Sequence, residues 1–144
     1  MSEDLCRECI RLGHDARRAG RLDDALAHYH AALTAEPDGA EANSVYGLML
    51  LHLGRAGEAE APLRRAVEIS PSHAAFRMNL AQLFAQLGRL DEAERILKDA
   101  TRLAPTHEAI LRLQAEIFEA GAKWPALGQL AASWIQAHPQ SAQA

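Results

Sequence analysis

Residues 74–107 read AAFRMNLAQLFAQLGRLDEAERILKDATRLAPTH, and two helical patterns lie in this one stretch. Phe76, Leu80, Leu83, Phe84 and Leu87 recur at spacings of three and four, which makes one apolar face of an amphipathic helix. After Gly88 and Arg89, a second stripe runs through Ala93, Ile96, Leu97, Ala100 and Leu103. Gly88 ends the first helix, because glycine enters a left-handed cap without a Cβ penalty. Asp91 and Glu92 then sit in the first turn of the second helix, where the helix dipole favours negative charge. Pro105 ends that helix by removing a backbone donor and restricting the residue before it. The stretch is a helical hairpin.

Working outward, the same punctuation recurs with a period of 34. Pro37, Pro71, Pro105 and Pro139 are evenly spaced, as are Gly20, Gly54 and Gly88, each followed by arginine. Ala25, Ala59 and Ala93 keep this register, and so do Ala32, Ala66 and Ala100. Gly13 and Gly47 are answered by Ala81 and Ala115. A single hairpin cannot bury its own apolar face, so the expectation is that stacked hairpins bury a continuous core. Turns are expected at 20–21, 37–39, 54–55, 71–73, 88–89, 105–107 and 121–124.

Composition agrees with an all-α chain. Of 144 residues, 30 are alanine and 20 leucine, whereas Val, Ile and Thr total 11. Sheets need β-branched and aromatic residues, so a substantial sheet is excluded. The net charge of −4 gives no whole-chain attraction to nucleic acid or to an anionic membrane. No stretch approaches the roughly 20 apolar residues of a membrane span. The acidic Met-Ser-Glu-Asp start is not a secretory signal, and Cys6 and Cys9 are too few for a disulfide framework. A cytoplasmic protein is expected, and the alanine richness hints at a bacterial source.

The periodic residues resemble the tetratricopeptide repeat (TPR) family, whose 34-residue helix–turn–helix carries small, bulky and small residues at set positions and ends in proline. With Cys6 as position 1, the first repeat supplies Leu12, Gly13, Ala16, Ala25, Tyr29, Ala32 and Pro37. The second supplies Tyr46, Gly47, Leu50, Ala59, Leu63, Ala66 and Pro71, and the third Leu80, Ala81, Phe84, Ala93, Leu97, Ala100 and Pro105. The resemblance implies a right-handed superhelical solenoid of about four hairpins, with repeats at 6–39, 40–73, 74–107 and 108–141 in one domain spanning 1–144. The family's tryptophan-type position holds Cys9, Asn43, Arg77 and Leu111, and Pro62 is expected to bend the second helix of repeat two slightly. The fourth repeat breaks register. Placing Ala126, Leu130 and Ser133 in its small, bulky and small slots requires a one-residue deletion near Gly121 and an insertion before Pro139. Pro125 then opens the last helix.

No residue set points to chemistry. Cys6 and Cys9 have no second cysteine pair, so neither a metal site nor a cofactor is expected. His73 and His107 repeat one period apart, and His28 and His30 point different ways on one helix. His14 and His52 fall on the expected concave face and have no evident nucleophile or acid partner. Arg7, Arg11, Arg17 and Arg18 lack the interleaved aromatics of a nucleic-acid surface. The chain is therefore expected to be no enzyme.

The resemblance implies a concave groove lined by first helices, at repeat positions 2, 5, 6, 9, 12 and 13. The groove reads basic, then apolar, then neutral polar, then mostly acidic. This gradient suits a peptide or helix of a protein partner with an acidic end and an apolar anchor. The expected binding residues are Arg7, Arg11, His14, Val45, Leu48, Met78, Asn79 and Gln82, with Val45, Leu48 and Met78 as the anchor and Arg7 and Arg11 orienting it. The lysine/asparagine clamp of chaperone-binding members is not matched at Ile10, His14, Val45 and Ala75. The asparagine ladder of repeat regions preceding sugar-transferring enzymes is not matched at Arg11, Val45 and Leu113. The competing reading is the N-terminal repeat region of a larger bacterial enzyme, such as a glycosyl- or sulfotransferase. Ser141 closes the fourth period and Ala142 opens a fifth without a polar capping helix, which favours continuation of the natural chain. Leu127, Leu130, Trp134 and Ile135 form an apolar strip on the last helix. Exposed strips of this kind mark contacts, so a homodimer through this helix is the expected outcome.

Overall fold

The computed structural model describes residues 1–140, apart from the side chain of Trp124. Ser141 and the start of a fifth period lie outside the described residues. Among these residues there are eight helices and no strand: α1 Ser2–Arg18, α2 Leu22–Ala35, α3 Ala40–His52, α4 Ala56–Ile69, α5 Ala74–Gln86, α6 Leu90–Leu103, α7 Glu108–Ala120 and α8 Trp124–Ala137. Six of the seven expected turns fall between them, and the seventh, expected at 121–124, overlaps the first residue of α8. The chain divides into two compact units, Met1–Ser72 and His73–Ala144. In the first, α1 packs on α2 and α3 on α4, with α3 also lying against α2. In the second, α5 packs on α6, and α7 lies against both α5 and α6.

The first three hairpins are closed by the residues that repeat. Ala25, Ala32, Ala59, Ala66, Ala93 and Ala100 are fully buried, as are the bulky Tyr29, Leu63 and Leu97 between them. The small residue on the facing helix admits that bulk. A Cβ at Gly47 would lie 2.7 Å from Leu63 Cγ, and one at Gly13 would strike the Tyr29 ring. Burying each such side chain contributes about 1.5–3 kcal/mol. α4 runs unbroken through the buried Pro62. At the tryptophan-type position, Asn43 is buried and its side-chain amide donates to the carbonyls of Pro37 and Gly39, each at 2.9 Å, tying the α2–α3 turn to α3.

Each first helix ends in the same cap. Gly20, Gly54 and Gly88 have φ of +77°, +77° and +74° with open space around them, so their role is conformational. Arg21, Arg55 and Arg89 donate their N–H to the carbonyls of Ala16, Leu50 and Phe84 at 2.8–2.9 Å, the six-to-one bond of a Schellman cap.

The fourth hairpin corrects the sequence reading. Its cap is made by Ala122 at φ +54°, 34 residues after Gly88, while Gly121 keeps φ −85°. Lys123 N–H bonds the Phe118 carbonyl at 2.8 Å, again 34 residues on. The register is therefore continuous, and neither the deletion near Gly121 nor the insertion before Pro139 exists. Backbone capping outweighs side-chain size here. The small, bulky and small slots hold Leu127, Ala131 and Trp134, an inversion of the pattern. Ser133, placed in a buried slot by the sequence reading, is exposed. The physical result is an open hairpin. α7 and α8 approach far less closely than the helices of the other three, and among the described residues no side chain of α8 is buried. A cavity of about 430 Å³ lies between them, with Leu111, Ala115, Leu127, Leu130, Ala131 and Trp134 among its walls. Pro125 sits in the first turn of α8, as expected.

Candidate functional site

The first helices of each unit, α1 and α3 or α5 and α7, bring repeat positions 2, 5, 6, 9, 12 and 13 to one face. In the first unit, Arg17 of α1 and Val45, Leu48 and His52 of α3 line a small cleft, with Tyr29 of α2 and Met49 completing its wall. In the second unit, Gln82, Ala85 and Gln86 of α5 meet Leu113, Glu116 and Ala120 of α7 around a cleft of about 300 Å³, with Leu90 and Ile117 behind. All six of these facing residues are ones the repeat numbering assigns to the inner surface. Arg7, Ile10 and Glu41 line another cleft in the first unit, of about 210 Å³, which Glu3 and Glu36 also border.

Of the eight expected binding residues, Arg7, Val45, Leu48 and Gln82 line these clefts, and Arg11, His14, Met78 and Asn79 do not. Leu48 and Gln82 stand half-buried in their clefts. Val45 is half-buried and also packs on the Ala16, Tyr29 and Met49 core. Met78 is half-buried on α5, and Asn79 is buried, at 8% exposure, so its side chain belongs to the interior of that unit. His14 is held by a 2.8 Å bond between its Nδ1 and the Tyr29 hydroxyl. Burial, and then the Arg17 charge, push the His14 imidazole below its ordinary range, which favours the neutral ring. Burial raises the Tyr29 hydroxyl in turn.

The basic end differs from the sequence reading. Arg11 bonds Glu8 at 2.5 Å and Asp15 at 3.0 Å on its own helix. Arg7 lies 3.6 Å from Glu3, and Arg18 3.6 Å from Asp15. Three of the four arginines of α1 thus face carboxylates one turn away, which a count of basic residues does not reveal but i, i+3 and i, i+4 spacing does. Arg17 has no such partner among the described residues, and it is the one that reaches the cleft. His52 beside it is pushed down by burial and by that arginine.

On the last helix, Leu127, Leu130, Trp134 and Ile135 all line the 430 Å³ cavity. His138 stacks on Trp134 with ring centroids 4.0 Å apart, covering part of the indole, while Ile135 stays 51% exposed. Cys6 and Cys9 are free and buried, and burial raises the Cys6 thiol, which disfavours the reactive thiolate. Among the described residues, no three His, Cys, Asp or Glu side chains are placed to hold a metal ion, and no helix is long and apolar enough to cross a membrane.

Two family models, both described as Tetratricopeptide repeat, match residues 10–74 and 50–117 and together span 10–117. Among solved structures, the chain is similar to the MamA protein, with TM-score 0.83 at 15% identity over 96% of this chain and 75% of that one. It is similar to the first TPR of Spaghetti (RPAP3) bound to an HSP90 peptide, with TM-score 0.77 at 18% identity over 83% and 94%. A Thermobaculum terrenum O-GlcNAc transferase matches with TM-score 0.83 at 24% identity over 96% of this chain and 27% of that one. No curated protein matches the chain by sequence. Caps, periodic small residues, helical hairpins and both family models agree: the chain belongs to the tetratricopeptide repeat family.

Proposed function

We propose that the protein is a cytoplasmic, non-catalytic interaction module whose first-helix surfaces hold a peptide or helix of a protein partner. One observation carries the reading: in each unit, the positions assigned to the inner face line a common cleft that is part apolar and part charged. Val45 and Leu48 supply the anchor in the first unit, and Met78 and Gln82 offer contacts in the second. The peptide-bound RPAP3 domain supports the choice of ligand class. His14 bonds a tyrosine rather than a nucleophile, which supports a binding role over a catalytic one. The free buried thiols fit a reducing compartment. Peptides selected from a random library on the intact protein test the reading: Leu48→Glu should weaken their binding at least tenfold. Unchanged binding would place the site elsewhere.

A second reading is that the chain is the repeat region of a larger sugar-transferring enzyme. The transferase match, which takes in only a quarter of that protein, favours it. A reading frame continuing into a transferase domain would support it. Self-association through Leu127, Leu130, Trp134 and Ile135 is a separate proposal, supported by the exposed Ile135 and the apolar cavity beside it. Sedimentation tests it: wild type should dimerise, and Trp134→Arg should remain monomeric and helical.

A further inference from the structure

We infer that the cleft between α5 and α7 seats a basic side chain, lysine or arginine, of the partner peptide, with its cation on Glu116 and its aliphatic stem on Leu113 and Ile117. The inference rests on the reading of the first-helix faces as peptide-binding surfaces, and it names the residue type that the second unit selects.

Three observations carry it. First, the polar side chains of the cleft are free to accept. Glu116, Gln82 and Gln86 line it, and none of these side chains has a hydrogen bond or ion pair among the described residues. Nearby cations are held by other carboxylates. Arg112, one turn before Glu116, bonds Glu108 at 2.8 Å, Arg89 bonds Glu92 at 2.6 Å, and Lys123 bonds Glu94. A carboxylate and two amide oxygens offer acceptors to a guanidinium or an ammonium, which only donate. Second, the cleft lies at the C-terminal ends of both helices. Ala85 and Gln86 stand in the last turn of α5, and Ile117 and Ala120 in that of α7. The last carbonyls of a helix carry partial negative charge and favour a cation. Neither α5 nor α7 has a basic residue in its last turn, whereas α1 has Arg17 and Arg18 there and α3 has His52. α7 instead carries Glu116 and Glu119 near this end, an arrangement that costs stability in the free chain and that a bound cation relieves. Third, the space suits a long stem. The cleft holds about 300 Å³, and Ala85, Leu90, Leu113, Ile117 and Ala120 give it an apolar wall. Lysine and arginine bury their methylene stems on such walls while the charged head reaches polar groups.

Charge by itself does not separate a seat for lysine or arginine from one for a metal ion. Glu116 is the single carboxylate lining the cleft among the described residues, and no three His, Cys, Asp or Glu side chains among them are placed to hold a metal. A monovalent organic cation with an apolar stem matches both the single charge and the wall.

The test uses the full chain and peptides selected on it from a random library, each compared with a copy in which lysine and arginine are replaced by norleucine. NMR follows the side-chain amides of Gln82 and Gln86, with acetyl-arginine-amide as a separate small probe. The selected peptides should be rich in basic residues and lose about fivefold in affinity on replacement, the scale of a part-exposed ion pair. That loss should shrink at high salt. Glu116→Gln should remove the preference without lowering the melting temperature. A lowered melting temperature alongside the lost preference would make Glu116 a structural residue and overturn the seat. Peptides that bind with no basic preference, or with one that survives Glu116→Gln, would overturn the seat and leave the peptide-binding face standing. Failure of every peptide to bind, with acetyl-arginine-amide still moving Gln82 and Gln86, would keep the cation seat and remove the peptide reading. No response to either would overturn both.

Discussion

At the scale of single residues, the fold depends on where a side chain is missing. Gly47 faces Leu63 so closely that a Cβ would lie 2.7 Å from Leu63 Cγ. Gly47→Val should therefore destabilise the first unit by about 1–3 kcal/mol through overpacking. Denaturant melting checks this, and an unchanged midpoint would contradict the packing. A pH effect belongs to the same scale. His14 and His52 both titrate below their ordinary 6.5 in the folded chain. The unfolded chain then binds protons more readily, so the stabilisation from these two rings is full above pH 6.5 and is lost as the pH falls through their depressed values. His14→Gln and His52→Gln together should flatten the slope of stability against pH as the pH falls below 6.5. An identical slope in wild type and double variant would show that other groups dominate.

At the scale of elements, the fourth hairpin is the informative one. Its cap and helix limits keep the 34-residue register, but its side chains do not fill it. Leu127 and Trp134 occupy slots that hold alanine elsewhere, and Ala131 stands where Tyr29, Leu63 and Leu97 fill the gap. Ala131→Leu, which places bulk into the cavity, should stabilise the second unit by about 1 kcal/mol. Thermal melting checks it, and a loss of stability would mean that the cavity walls have no room to give. This hairpin also shows where a sequence reading stops. Helices and turns were legible from Gly20, Gly54, Gly88 and the spaced prolines, because caps and breakers act through the local backbone. In the fourth repeat the glycine moves to 121 and the left-handed turn stays at Ala122. A reading that trusts glycine and side-chain size shifts the register there, whereas the structure keeps the cap and accepts the void.

At the scale of the whole molecule, the candidate surface was legible as a set of positions and not as a set of charges. Repeat numbering alone assigned Gln82, Ala85, Gln86, Leu113, Glu116 and Ala120 to one face, and they line one cleft. It also put Arg17, Val45, Leu48 and His52 together. Repeat numbering alone does not show that Asn79 is buried, which depends on how closely helices pack, whereas the bonds of Arg11 to Glu8 and Asp15 follow from i, i+3 and i, i+4 spacing that a count of arginines passes over. The charge gradient read along the first helices is accordingly weaker at its basic end than the arginine count implies.

The central claim is that partners bind the first-helix faces, and NMR shift mapping with a library-selected peptide tests it most directly. The account predicts the largest perturbations at Leu48 and His52 in the first unit and at Gln82 and Glu116 in the second, with second-helix residues such as Arg64 and Lys98 unmoved. Perturbations centred on Arg64 and Lys98, with Leu48 and Gln82 silent, would contradict it.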